Sequence, residues 1–272
     1  MLISATSALV LNWTTNEIWK TDNARNYLNN LDLSEGMPLY NAFDELENYM
    51  LTQGITNRKY FVRNYTIAFL RKFEQEKKNG QVIVLAAGIA PLSVEIATLF
   101  PKAILFDVDK YAMPEKEKYL KNICRNIRFI ECDITKIDLL KTKLIQYGWD
   151  PEAPTIVVIE GIVYYLLETD LRNILSFFAN HKTGLIADFV LKPENVNVKN
   201  RIFGEVVFKR IKELVGLDFL NFYEPGYFMA LVKDSGFQNA KRFNMDEIQM
   251  ERTGQKDPFD LEEPAWVSMV KS

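Results

Sequence analysis

One histidine, His181, and two cysteines, Cys124 and Cys132, are all the imidazole and thiol ligands that 272 residues offer a metal. Such an inventory cannot assemble a His/Cys zinc centre, and two thiols do not make a disulfide framework in a chain of this size. They read as small core groups in a reducing compartment, and no metal is expected. No run of 18 apolar residues occurs, so a membrane-spanning helix is not expected. The mildly apolar start, Met1 to Leu11, lacks the basic n-region and small-residue cleavage site of a signal peptide. Excess positive charge is lacking too: 33 Lys and Arg stand against 36 Asp and Glu, a net charge of −3. No global field then draws nucleic acid or anionic lipid. A cytoplasmic protein with neither nucleic-acid nor membrane partners is the expectation.

What is present is ordinary for a globular domain: 48% hydrophobic and 25% charged residues. A chain of this length buries roughly three quarters of its extended surface, enough for a hydrophobic core to carry the fold. Residues 1–80 show no β-branched run. Leu39, Phe43, Leu46, Tyr49 and Met50 recur at helical spacing, as do Phe61, Tyr65, Phe69 and Leu70, which predicts a helical cap.

From Gln81 the pattern changes. Val82–Leu85, Ala103–Phe106, Ile127–Ile130, Thr155–Ile159 and Leu185–Phe189 are short apolar runs separated by helical patterns. One of those patterns is Leu171, Ile174, Leu175 and Phe178. Near-continuous apolar strands alternating with helices imply a parallel sheet covered on both faces. Residues 193–223 read as a helical insertion after the fifth strand, and Pro225–Ser235 as a further helix. Two last strands are expected around Ala240–Phe243 and Trp266–Val270, with a polar excursion, Met245–Pro264, between them. The expected fold is α/β: a doubly wound, mostly parallel seven-stranded sheet over residues 81–272, with residues 1–80 as its cap.

Ligands of open α/β sheets lie beyond the carboxyl ends of the strands. Those ends carry Ala86-Ala87-Gly88, then Asp107 and Asp109, Asp133, and Glu160. A sheet without a ligand could use any one of these acids as a helix N-cap, but four successive strand ends are less easily explained that way. The first turn lacks the spaced glycines of a dinucleotide fingerprint, since Ala86 and Ala90 occupy such positions. A carboxylate closing the second strand can accept from two ribose hydroxyls, and Asp133 from an exocyclic adenine amine. The pattern suits a nucleoside without a demanding phosphate group.

Four segments carry a resemblance. Asn57-Arg58-Lys59-Tyr60-Phe61-Val62-Arg63 resembles the N-R-x-Y-F-x-R segment of leucine carboxyl methyltransferases. Gln81 to Gly88 is similar to that family's Q-[VI]-V-x-L-[GA]-A-G. Phe106-Asp107-Val108-Asp109 resembles F-E-V-D, and Glu160 to Leu166 resembles E-G-x-x-x-Y-L. The ordered set spans roughly residues 50–190. It implies a class I, Rossmann-like O-methyltransferase that uses S-adenosyl-L-methionine. Carried over, Arg63 would bind the methionine carboxylate, Ala86 and Gly88 would line the cofactor turn, and Asp109 would hold the ribose. Asp133 and Ile134 would meet the adenine, and Glu160 the methionine amino group. One departure stands out: where the family continues with D-T-[RT], this chain has Ile89-Ala90-Pro91.

Transfer to a carboxylate needs no catalytic base, and no general base is identified. His181 lies in the turn before the fifth strand, away from the expected active face. Tyr164, Tyr165 and Phe203 are candidates for the acceptor pocket; the two tyrosines also fit plain packing under the next helix. The leading expectation is methylation of a carboxylate or hydroxyl on a small-molecule acceptor. The alternatives are methylation of a protein C-terminal carboxylate, a non-catalytic protein with a degenerate nucleoside site, and a nicotinamide oxidoreductase.

Overall fold

The computed structural model describes residues 5–14, 17–181, 183–192, 195–196, 205–210, 212–213, 220–259 and 267–272. The first part of the chain is helical: α1 (Ala5–Asn12), α2 (Asp22–Asn29), α3 (Met37–Tyr40) and the long α4 (Glu45–Gln75). Asp44 starts α4 with a capping box, accepting from the Glu47 amide while Glu47 reaches back to the Asp44 amide. The cap at Asp44 interrupts the periodicity that ran from Leu39 to Met50. Phe43 is buried, whereas Leu46 and Tyr49 are exposed on the first turns of α4.

From β1 (Gln81–Leu85) the chain alternates: α5 (Leu92–Leu99), β2 (Ile104–Asp109), α6 (Met113–Leu120), β3 (Ile127–Glu131), α7 (Ile137–Gln146), β4 (Thr155–Ile159), α8 (Glu168–Ala179) and β5 (Thr183–Val190). The end comprises α9 (Pro225–Asp234), β6 (Lys241–Asn244), α10 (Met245–Thr253) and β7 (Val267–Lys271). The sheet order is β3-β2-β1-β4-β5-β7-β6; β7 runs antiparallel to both neighbours and the other pairings are parallel. This is the seven-stranded, doubly wound sheet expected. β1, between β2 and β4, is the switch point at which the strand order reverses, so the crevice lies over its carboxyl end.

The terminal excursion differs from expectation. Its first part is helix α10, nucleated by an Asn244–Glu247 capping box and closed by Gly254 at φ +76°. Arg252 on this helix donates to Asn57 and is paired with Glu17, which ties it to the cap. Most of the expected insertion, Phe203 included, lies outside the described residues; residues 205–210 and 212–213 are helical.

Two apolar clusters cover the faces of the sheet. One collects Ile83, Phe106, Val157, Leu185 and Phe228, and the other Val82, Leu105, Val158, Phe61 and Trp19. Within the second face sits a buried ion pair. Lys116 of α6 and Asp107 of β2 are both 0% exposed, with Nζ 2.7 Å from Oδ2. The ammonium also donates to the Ala90 carbonyl at 2.8 Å, and the Ser93 hydroxyl donates to Asp107 Oδ1. A buried charge pair is stable only while both partners remain. Lys116→Met is therefore expected to cost about 3–5 kcal/mol in denaturant unfolding, and adding Asp107→Asn to restore part of that loss.

Candidate functional site

The backbone between β1 and α5 forms the floor of the crevice. Ala86 and Gly88 both sit in the left-handed region, at φ +52° and +50°. A Cβ on Gly88 would meet nothing within 4 Å, so the turn opens onto free space. Ala86 stands where the resembling motif allows glycine, and an L-residue in this conformation carries roughly 1–2 kcal/mol of strain. Outside the turn, the Tyr27 hydroxyl donates to the Ile89 carbonyl at 3.1 Å and Lys116 holds Ala90. The turn that departs from the family pattern is thus anchored by side chains from α2 and α6.

Above this floor is a cavity of about 200 Å3. Its lining includes residues 86–90, Glu160, Gly161, Tyr164 and Tyr165 from the core, and Thr6, Val10, Arg58 and Lys59 from the cap. Arg58 Nε donates to Glu160 Oε1 at 2.9 Å and Nη1 to Asp188 Oδ2 at 3.2 Å. Lys59 Nζ lies 2.8 Å from the same Glu160 oxygen. Asp188, fully buried in β5, also accepts the Gly161 amide at 2.7 Å. Two cations and two carboxylates thus form one buried cluster at the ends of β4 and β5.

Burial raises the Glu160 carboxyl, but Lys59 and Arg58 more than offset it and hold it below the ordinary range. Asp188 goes the other way: burial raises it, Arg58 only partly offsets this, and nearby Glu160 adds to the rise. Burial also pushes the phenols of Tyr164 and Tyr165 upward, so both remain protonated donors. Both cations meet Glu160 Oε1, so Oε2 is the oxygen with lone pairs to offer a ligand. An anion flanked by an arginine and a lysine complements a zwitterionic amino acid.

The expected site residues do not all reach this cavity. Ala86, Gly88, Glu160, Tyr164 and Tyr165 line it. Asp109 lies beside it, accepting the Gly88 amide on Oδ2 at 3.0 Å and the Tyr111 and Ala112 amides on Oδ1. Asp133 closes a local turn by accepting from Thr135 and pairs with Lys110 at 3.1 Å. Ile134 packs its side chain into the core. Arg63 is turned elsewhere: its guanidinium grips Glu95 of α5 at 2.6 and 2.8 Å. Five residues along an α-helix rotate a side chain by about 140°, so Arg58 and Arg63 face different neighbours.

Phe203 lies outside the described residues. His181 packs edge-on against Trp149 at 5.2 Å, just before the first residue of β5 and so at the opposite end of that strand from Asp188. Arg58, Lys59 and Asp188 were not singled out from the sequence. The signal for Asp188 was an acid inside an otherwise apolar strand, Leu-Ile-Ala-Asp-Phe-Val. Among the described residues no group of three or more His, Cys, Asp or Glu could hold a metal, and no helix is long and apolar enough to cross a membrane.

A seven-stranded sheet in this order, with its crevice beyond β1 and β4, is the class I methyltransferase fold. The leucine carboxyl methyltransferase family model matches residues 17–179, and the chain belongs to that family. S-adenosyl-L-methionine is the family's cofactor. No curated protein matches the sequence.

Among solved structures, a provisionally assigned methyltransferase from Thermobifida fusca aligns over 94% of this chain and 96% of its own, at 10% identity and a TM-score of 0.57. Magnesium protoporphyrin IX methyltransferase from Synechocystis, with bound S-adenosylhomocysteine, covers 91% and 96% at 12% identity and a TM-score of 0.49. An O-methyltransferase family protein from Burkholderia thailandensis covers 82% and 60% at 10% identity and a TM-score of 0.48. The chain spans about 60% of the length of the first O-methyltransferase structures it matches.

Two outcomes follow from this geometry. Ala86→Gly releases the left-handed strain at some cost in chain entropy, and is expected to stabilise the protein by up to about 1 kcal/mol in thermal unfolding. A loss instead would mean that the methyl group contributes more by packing than it costs. Glu95 is fully buried: desolvation raises its carboxyl, but the Thr21 hydroxyl and amide, Arg63 and the Lys20 amide outweigh this and lower it below its ordinary 4.5. An acid lowered in the folded state stabilises above its unfolded value and loses that stability as it protonates. Unfolding midpoints measured downward from about pH 6 should therefore fall below about pH 4.5, and Glu95→Gln should flatten that slope.

Proposed function

We propose that this protein is an S-adenosylmethionine-dependent O-methyltransferase that acts on a carboxylate or hydroxyl of a small molecule. The observation that carries this reading is the pairing of Glu160 with Arg58 and Lys59 over an open Gly88 turn, with Asp109 one hydrogen bond away. The residues fit the cofactor. Glu160 would take its amino group and Arg58 with Lys59 its carboxylate. Gly88 would let the nucleoside approach the backbone, and Asp109 and Asp133 would accept from ribose and base. Arg63, committed to Glu95, is left as a brace between α4 and α5.

When bound, the cofactor supplies a methyl group activated by a sulfonium. The protein's part is positioning: α1 closes one side against water, while Tyr164 and Tyr165 donate hydrogen bonds without surrendering their protons. Such alignment supplies roughly 7–11 kcal/mol in well-oriented intramolecular reactions. On this reading residues 1–80 and 81–272 divide the work, the cap completing a pocket that the core begins.

Calorimetric titration with S-adenosylhomocysteine tests the proposal. Wild-type protein is expected to bind, Asp109→Ala to bind at least tenfold more weakly, and Arg58→Lys to lose affinity where Arg63→Ala changes it little. Folded wild-type protein that fails to bind at millimolar ligand would overturn the reading.

A further inference from the structure

A second chamber of about 100 Å3 adjoins the first and shares Thr6, Val10, Arg58, Tyr164 and Tyr165 with it. The rest of its lining among the described residues is apolar: Leu9 from α1 and Trp13 just after it, Leu51 and Ile55 from α4, Val190 at the end of β5, and Val207 with Phe208. The Trp13 indole N–H is already spent on Asn48 at 2.8 Å, and Trp13 is braced edge-on by Phe43 at 5.3 Å. Phe208 rests edge-on against Phe222. The Val190 carbonyl accepts from the Tyr223 amide. Among the described residues the chamber therefore offers polar groups only at the wall it shares with the first.

Three consequences bound the occupant. Its body must be apolar, because an unpaired polar group has no partner there. It must be compact, since an apolar cavity of about 150 Å3 accommodates a benzene ring. A peptide is disfavoured, because an extended backbone would bury N–H and C=O groups against leucine, isoleucine, valine and phenylalanine. The nature of the reacting oxygen follows from the shared wall. Among the described residues lining either chamber the sole acid is Glu160, which two cations hold ionised and make a poor base. The two tyrosines keep their protons. Burial lowers the Lys59 ammonium, but its Nζ is committed at 2.8 Å to Glu160 Oε1, so no described group of the lining is left to take a proton from an acceptor hydroxyl, whereas a carboxylate has none to lose.

Resting on the methyl-transfer reading above, we infer that the acceptor is a compact, lipophilic, free carboxylic acid. Its hydrocarbon body lies in the second chamber and its carboxylate at the Tyr164–Tyr165 pair, on the wall that the two chambers share. A lone pair on the acceptor carboxylate forms the new C–O bond as the S–CH3 bond breaks and its electrons return to sulfur. The sulfonium and carboxylate charges cancel, leaving a methyl ester and a neutral thioether with no proton transferred.

The test uses protein saturated with S-adenosylhomocysteine, titrated with 4-methylpentanoate, its amide, 4-methylphenol and an N-acetylated hexapeptide ending in leucine. Binding is read by calorimetry and by tryptophan fluorescence, with Trp13→Phe as the control for the chamber. The acid is expected to bind at least tenfold more tightly than the amide, the phenol or the peptide. Val207→Trp, or Ile55→Phe should the first fail to fold, is expected to weaken the acid at least tenfold while S-adenosylhomocysteine stays within twofold. With labelled S-adenosylmethionine the acid is the member of this panel that gains the methyl group. Preference for the phenol or the peptide, acid binding indifferent to the chamber variants, or no acid binding by protein that holds S-adenosylhomocysteine would overturn this inference alone. Failure to hold S-adenosylhomocysteine would overturn the reading beneath it.

Discussion

The constraint on which the site depends is the burial of Arg58, Lys59, Glu160 and Asp188 in one cluster. Four charges have left water, and each is tolerable only because its opposites stand within about a hydrogen bond's length. The cations come from the middle of α4 and the carboxylates from the end of β4 and from β5, so the cluster fixes the helical cap over the strand ends. Gly161 belongs to the same arrangement. Its φ of +73° turns the chain after β4 so that its amide meets Asp188, and a Cβ there would lie 3.5 Å from Arg58 Nη2. Geometry at the crevice is thereby set by electrostatics, while the sheet beneath it is set by apolar packing.

The opposed shifts of the two carboxylates describe what such a cluster can do. Glu160 has two cations and stays ionised; Asp188 shares one of them and feels its neighbour's charge, so its proton is held more tightly. The balance of charge then sits with Arg58, the charged residue among the described ones that line both chambers. A ligand carboxylate entering from either side meets a guanidinium whose other donors are already anchored. It is therefore oriented without a further loss of side-chain entropy.

The architecture was legible because its signals are local and redundant. β1 to β4 are short, largely apolar runs that close in a small residue or an acid, and α8 keeps a single buried face. The motif segments likewise placed Ala86, Gly88 and Glu160 at the crevice. The choice between two arginines on one helix was not legible. Arg58 and Arg63 lie in the same seven-residue motif, and which one faces the crevice depends on the helix's rotation against the sheet. Glu95, Thr21 and Asp188 fix that rotation, and all three lie far from the motif in sequence. Asp188 itself was hidden by its strand, where burial of an acid makes sense only once its partner is known. Helix α10 was obscured by polar composition: its apolar contribution is confined to Met245 and Ile248.

The departure at Ile89-Ala90-Pro91 illustrates how a site can keep its shape with different residues. A turn with Ala86 in the left-handed region is under strain, and its carbonyls must be held from outside. Tyr27 holds Ile89 and Lys116 holds Ala90. Lys116 can do so because Asp107, an acid facing inward from β2, neutralises it in a place with no water. The β2 sequence Asp107-Val108-Asp109 thus serves the turn twice, because residues two apart on a strand share a face. Asp107 points inward to charge-balance the lysine that grips the far side of the turn. Asp109 closes the strand and accepts from Gly88 on the near side. The acidic pair is a clamp on the turn before it is anything to a ligand. Whatever Asp109 does for a bound nucleoside, it does with lone pairs left over from holding the backbone in place.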